Sequence, residues 1–102
     1  MNRGDVYDVQ FPRGRHPVVI ATCDIVIPLL ANLTVVDITS RVRGLPTEVP
    51  LGPDHGLARE CVANCDNLFT LPKQAFGAFR GALGFDDVRC LDDALRVALD
   101  LD

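Results

Sequence analysis

Thr34-Val35-Val36-Asp37-Ile38-Thr39-Ser40-Arg41-Val42-Arg43 is the stretch on which the fold of this chain turns. Its first half is rich in β-branched residues and predicts a buried strand over Leu33–Thr39. Its second half ends that strand in a hydroxyl pair, Thr39-Ser40, set against Arg41 and Arg43. Upstream, Arg13-Gly14-Arg15-His16-Pro17 leads into a second apolar run, Val18-Val19-Ile20-Ala21. If both runs lie in one small β-sheet, their polar ends meet at a single spot. That spot holds Arg15, His16, Thr39, Ser40 and Arg41, a set suited to phosphodiester chemistry.

Composition narrows the possibilities. The chain has 102 residues with 48% hydrophobic content, which predicts one domain over residues 1–102 with a limited core. A dimer interface is a natural supplement to so small a core. No apolar run is long enough for a transmembrane helix, and Met1-Asn2-Arg3-Gly4-Asp5 does not read as a secretory signal, so a cytoplasmic protein away from the membrane is expected. The four cysteines form no Cys-x-x-Cys, and His16 and His55 are the only histidines. Free, mostly buried thiols are expected rather than disulfides or a metal site.

The net charge of −4 is awkward for a nucleic-acid binder, but its distribution is not. Six of the fourteen acids fall at or after Asp86, against only Arg89 and Arg96. The rest of the chain balances eight acids with eight bases, and Arg13, Arg15, Arg41 and Arg43 flank the candidate site. Affinity for phosphate follows the local field, so a basic surface on an acidic protein is allowed.

Periodicity supplies the remaining elements. Tyr7, Val9 and Phe11 alternate with Val6, Asp8 and Gln10 as a strand, and Pro12–Arg15 turns the chain into a second strand at Val18–Thr22. Asp24–Ala31, with Pro28, predicts an irregular excursion or a single helical turn. Val42–Pro46 is a turn, Thr47–Leu51 an edge strand containing Pro50, and Gly52–Gly56 a loop. Glu60–Cys65 and Leu68–Leu71 predict two strands broken at Asp66-Asn67, followed by a helical turn within Lys73–Phe79. Val88, Leu91, Leu95, Ala98 and Leu99 recur at helical spacing, with Asp86 or Asp87 as cap. The expectation is a mainly β (α+β) unit of five or six strands, covered on one face by a C-terminal helix.

Taken in order, these segments resemble the MazF/PemK (Kid-like) toxins of bacterial toxin–antitoxin systems. Arg3-Gly4-Asp5-Val6-Tyr7 resembles the family's opening Arg-Gly-acid-aliphatic-aromatic motif, and His16-Pro17-Val18-Val19-Ile20 occupies the place of its Arg-Pro strand. Val35-Val36-Asp37-Ile38-Thr39-Ser40 is similar to its Val-x-Pro-aliphatic-Thr-hydroxyl motif. Glu48-Val49-Pro50-Leu51 and Cys65-Asp66-Asn67-Leu68-Phe69-Thr70 resemble its later edge strand and Cys-Asp-amide segment. The match spans nearly the whole chain. His16 in place of arginine is a departure, and the link between the first two strands is shorter than in many relatives.

The resemblance implies an SH3-like β-barrel of the MazF/CcdB type, a homodimer, and a sequence-selective, ribosome-independent mRNA endoribonuclease. It implies cleavage without metal or other cofactor: the ribose 2′-hydroxyl attacks the adjacent phosphate and leaves a cyclic phosphate and a 5′-hydroxyl. Thr39 matches the family's catalytic threonine and His16 the position of its catalytic arginine, with Arg13, Arg15, Ser40, Arg41 and Arg43 expected to bind RNA. It also implies a MazE-like antitoxin whose extended tail covers the substrate surface. A CcdB-like gyrase poison on the same barrel is the alternative, with its contact at the terminal helix and Asp100-Leu101-Asp102. A plain SH3-like protein-binding module is weaker, because six aromatics without tryptophan are a poor supply for an aromatic groove.

Overall fold

The computed structural model describes residues 1–102. Strands β1 (Asp5–Phe11) and β2 (Gly14–Ile20) form a hairpin whose two-residue turn is Pro12-Arg13. Gly14 closes that turn at φ +118°, a conformation side chains other than glycine's resist. β3 (Asn32–Thr39) follows a 3-10 turn at Ile27–Leu29, and β4 (Glu48–Leu51) leads into a second 3-10 turn at Pro53–His55. β5 (Cys61–Pro72) is the long strand, and β6 (Phe76–Ala82) precedes the single helix α1 (Phe85–Leu99). The six strands make one antiparallel, curled sheet in the order β4-β5-β3-β2-β1-β6.

Both faces of the sheet are covered, as the continuous apolar run Val18–Ile20 requires, and all three of those side chains are fully buried. Val6, Val19, Val36 and Ile38 face α1, whose Leu91 and Ala94 complete that core together with Val49 and Leu51. Val9, Val18, Ile20, Leu33 and Val35 form the second face under Ile27, fringed by Tyr7, Phe11, Phe69 and Phe76. Arg3 ties the start of the chain to α1 through Asp92 at 2.7 Å.

The two edges of the sheet, β4 and β6, do not pair with each other. The loop after β4 packs instead against β6, backbone on backbone. A Cβ on Gly56 would lie 1.8 Å from the Arg80 carbonyl oxygen, and one on Gly81 would lie 2.5 Å from the His55 carbonyl oxygen. Two glycines let the loop approach β6 this closely, so the curled sheet is closed on that side by a seam without Cβ atoms. Arg80 Nε donates to Gly56 O across it at 3.1 Å.

Three sequence expectations need correction. Phe76–Ala82 is a strand, and only Lys73–Ala75 takes the expected helical turn, because β1 has a free edge that recruits the segment. Glu60–Cys65 and Leu68–Leu71 belong to one strand, β5, whose break at Asp66-Asn67 is a bulge opposite Val36 and Asp37. Neither Asp86 nor Asp87 caps α1: Gly84 is at the cap and both aspartates lie in the first turn, where they still favour the positive end of the helix dipole. The cysteines are free, with Cys61 and Cys65 buried and Cys23 and Cys90 exposed.

Candidate active site

The twisted ends of β2 and β3 lie against the closing seam, and a cavity of about 350 Å³ opens between them. Its walls are His16 and Pro17 from β2, Ile38, Thr39 and Ser40 from the end of β3, Leu57–Arg59 and Cys61 after the glycine seam, and Arg80 from β6. A second hollow of about 470 Å³ adjoins it, bounded by Phe11, Pro12, Arg13, Gly14, Arg15, His16, Asp37 and Phe69. His16 stands between the two.

Local structure fixes each side chain. Thr39 ends β3, and its Oγ1 accepts the Arg41 backbone N–H at 3.1 Å, which turns the chain away and leaves the hydroxyl hydrogen free to donate outward. His16 Nε2 is 2.5 Å from Asp37 Oδ1, and the ring packs edge-on against Phe11 at 5.8 Å between centroids. Asp37 Oδ2 in turn accepts from Asn67 Nδ2 at 3.1 Å. Arg80 reaches both oxygens of Asp8 with Nη1, at 3.0 and 3.2 Å, so its guanidinium is held in place with Nη2 uncommitted. Cys61 is a wall of the cavity rather than a nucleophile: burial pushes its thiol above the ordinary range, against a smaller opposing effect of Arg59.

His16, Thr39 and Ser40 therefore share one cavity, as expected from their motifs. Arg13 and Arg15 border the second hollow; Arg15 lies in β2 itself, not in the turn. Arg41 and Arg43 border neither hollow and occupy the exposed segment beyond Ser40. The Glu48 carboxylate shapes that segment by accepting the backbone N–H groups of Arg43, Gly44 and Leu45 at 2.9 to 3.3 Å. Sequence reading missed Arg59, Arg80 and Asp37. Arg59 and Arg80 come from the far ends of the sheet and meet the site only through closure, whereas Asp37 was legible as a lone carboxylate in an otherwise apolar strand.

Arg13, Arg15, Arg41, Arg43 and Arg59 make no ion pair within the chain, while Arg3, Arg80 and Arg96 are paired with aspartates. Three of these unpaired guanidinium groups, Arg13, Arg15 and Arg59, border the two hollows beside a hydroxyl and an imidazole–carboxylate pair, which defines a class: a small curled-sheet protein with a cationic hollow suited to an anion. The particular family follows from comparison. Residues 2–99 match the model of the PemK-like, MazF-like toxins of type II toxin–antitoxin systems, and the chain belongs to that family.

It is 40% identical over 97 residues to endoribonuclease MazF3 of Mycobacterium tuberculosis, spanning 95% of this chain and 93% of that relative. Among solved structures, the Mycobacterium tuberculosis toxin MazF-mt6 superposes with a TM-score of 0.90 at 39% identity, over 96% of this chain and 98% of that one. An endoribonuclease in complex with its cognate antitoxin, from Mycobacterial species, also gives 0.90, at 29% identity over 100% of this chain and 97% of that one.

Proposed function

We propose that this protein is the toxin of a toxin–antitoxin pair and acts in the cytoplasm as an endoribonuclease that cuts single-stranded mRNA. The observation that carries the reading is the convergence of His16, Thr39, Ser40, Arg59 and Arg80 on one cavity. In the reaction the 2′-hydroxyl loses a proton, its oxygen bonds the adjacent phosphorus, and the bond to the 5′-oxygen breaks. A cyclic phosphate and a 5′-hydroxyl result, and no metal is required. Thr39 donates its free hydroxyl hydrogen to a non-bridging phosphate oxygen, and the guanidinium groups of Arg59 and Arg80 stabilise the charge that builds on the phosphorane-like transition state. His16 is the imidazole on the cavity and the group suited to proton transfer.

Arg13 and Arg15 beside the second hollow, with Ser40, Arg41 and Arg43 beyond the first, grip the flanking backbone. The same unpaired charge suits an acidic, extended antitoxin segment, so RNA and antitoxin compete. A two-fold dimer joins two such surfaces into a longer groove.

The test is incubation of the purified protein with a long RNA in EDTA. Discrete fragments whose 5′ ends accept phosphate from a kinase without prior dephosphorylation are expected. Intact RNA at micromolar protein refutes the activity, and full cleavage by both Thr39→Ala and His16→Ala refutes the site.

A further inference from the structure

His16 of β2 and Asp37 of β3 touch beside the cavity. β2 and β3 pair so that Asp37 faces Val18, which puts it diagonally beside His16 on the same face. Asp37 is the less exposed partner, at 15% against 38% for His16. Its two oxygens are divided between two donors, His16 Nε2 on Oδ1 and Asn67 Nδ2 on Oδ2.

An ionised carboxylate can only accept, so the ring nitrogen facing it must carry the proton. His16 Nδ1 makes no hydrogen bond within the chain and is left as the acceptor. The ring packs edge-to-face with Phe11 at 5.8 Å between centroids, and Phe11 is itself braced by Phe69 at 5.3 Å.

We propose that Asp37, oriented by Asn67, is a positioning residue that fixes His16 as its Nε2–H tautomer and so makes Nδ1 the base for the 2′-hydroxyl. The inference rests on the endoribonuclease reading above and names how its base is made. The 2′-hydroxyl proton passes to Nδ1 as the O2′–P bond forms. The P–O5′ bond breaks, O5′ takes a proton from solvent water, and the imidazolium returns its proton to solvent. Asp37 keeps its charge throughout and stabilises the imidazolium, the role of the third member in a nucleophile–base–acid triad.

Two readouts separate this from a merely structural carboxylate. Nitrogen-15 NMR of the imidazole rings should show His16 protonated at Nε2 in the native protein. That signature should be lost in Asp37→Asn and Asp37→Ala. His55 is an internal control, because its Nδ1 accepts the Gly52 N–H at 3.1 Å and its Nε2 faces Asp87 at 2.8 Å, both remote from Asp37. On an RNA the native protein cuts, Asp37→Ala should lower kcat about 100-fold with little change in KM. His16→Ala/Asp37→Ala should be no slower than His16→Ala alone.

Asn67→Ala, at an exposed position, should lower kcat about tenfold and serves if Asp37→Ala does not fold. An Nδ1–H tautomer in the native protein, native kcat in the Asp37 and Asn67 variants, or additive losses overturns the proposal. A native protein that cuts no RNA overturns the reading beneath it and the proton transfer with it. The NMR arm then still decides whether Asp37 fixes the ring.

Discussion

Adding a single methyl group at the glycine seam should open the barrel and disable the site together. In Gly56→Ala the new Cβ falls 1.8 Å from the Arg80 carbonyl oxygen and 2.5 Å from its carbon, against backbone that no rotamer change can move. Gly56 also has φ +82°, so alanine there adds a left-handed penalty of ~1–2 kcal/mol. Forcing the edges apart adds ~1–3 kcal/mol of overpacking, offset by ~0.4–1 kcal/mol from a stiffer unfolded chain. The net loss is about 2–4 kcal/mol for Gly56→Ala. Gly81→Ala carries only the steric part, with contacts of 2.5 and 2.9 Å to His55 backbone atoms, and should lose about 1–2 kcal/mol. For a domain of this size Gly56→Ala lowers Tm by roughly 10–20 °C. The assay is thermal and urea unfolding by circular dichroism at one fixed protein concentration, so that any association of chains contributes equally to every variant. The double variant should lose less than the sum, since one methyl already parts the seam. Native Tm together with native RNA cleavage in both single variants would refute the closure argument.

Four further outcomes follow from named contacts. Leu91→Ala removes the fully buried anchor of α1 and should cost ~2–4 kcal/mol in urea unfolding. Burial, with a smaller push from Asp66, raises the Cys65 thiol to about 11, so its contribution is complete below the unfolded value of 9.0. That contribution falls through pH 9–11, a loss of about 2 kcal/mol by pH 10.5, and Cys65→Ala should show a flatter stability–pH slope over that window. Glu48→Ala frees the backbone N–H groups that it collects from Arg43 to Leu45 and should cost ~1–2 kcal/mol, with faster hydrogen exchange confined to that segment. Light scattering at low micromolar concentration should give about 22 kDa, twice the 11.1 kDa chain, and a monomer at that concentration would remove the shared groove.

Much of the architecture was legible because local pattern and tertiary environment agree. Val18–Ile20 reads as buried on both faces and is; Leu33–Thr39 begins within one residue of the observed strand. β6 was not legible. Phe76-Gly77-Ala78-Phe79-Arg80-Gly81-Ala82 has no polar–apolar alternation and stays largely exposed, so its state is decided by the open edge of β1. β5 was misread at Asp66-Asn67 for a related reason. Those polar residues look like a turn in isolation, but Thr47 donates its hydroxyl to Asp66 at 2.6 Å and Asn67 donates to Asp37, so tertiary partners hold the strand through them. That His16, Thr39 and Ser40 would line one hollow was readable from motif order. Arg59 and Arg80 were not, because no spacing in the chain announces that two sheet edges will meet.

That meeting explains how an acidic chain builds a basic site. Arg59 lies three residues past Gly56, and Arg80 immediately precedes Gly81, so the glycines that permit closure also deliver the two arginines to the cavity. Asp8 compensates Arg80, but nothing within the chain compensates Arg59, Arg13, Arg15, Arg41 or Arg43, while six of the fourteen acids lie at or beyond the first turn of α1. Like charges brought together by folding repel one another, and a phosphate backbone or an acidic peptide laid among them relieves that repulsion. In the proposed function, substrate and antitoxin draw on one store of unpaired charge. Binding of either should stabilise the seam that creates the store, and each should exclude the other.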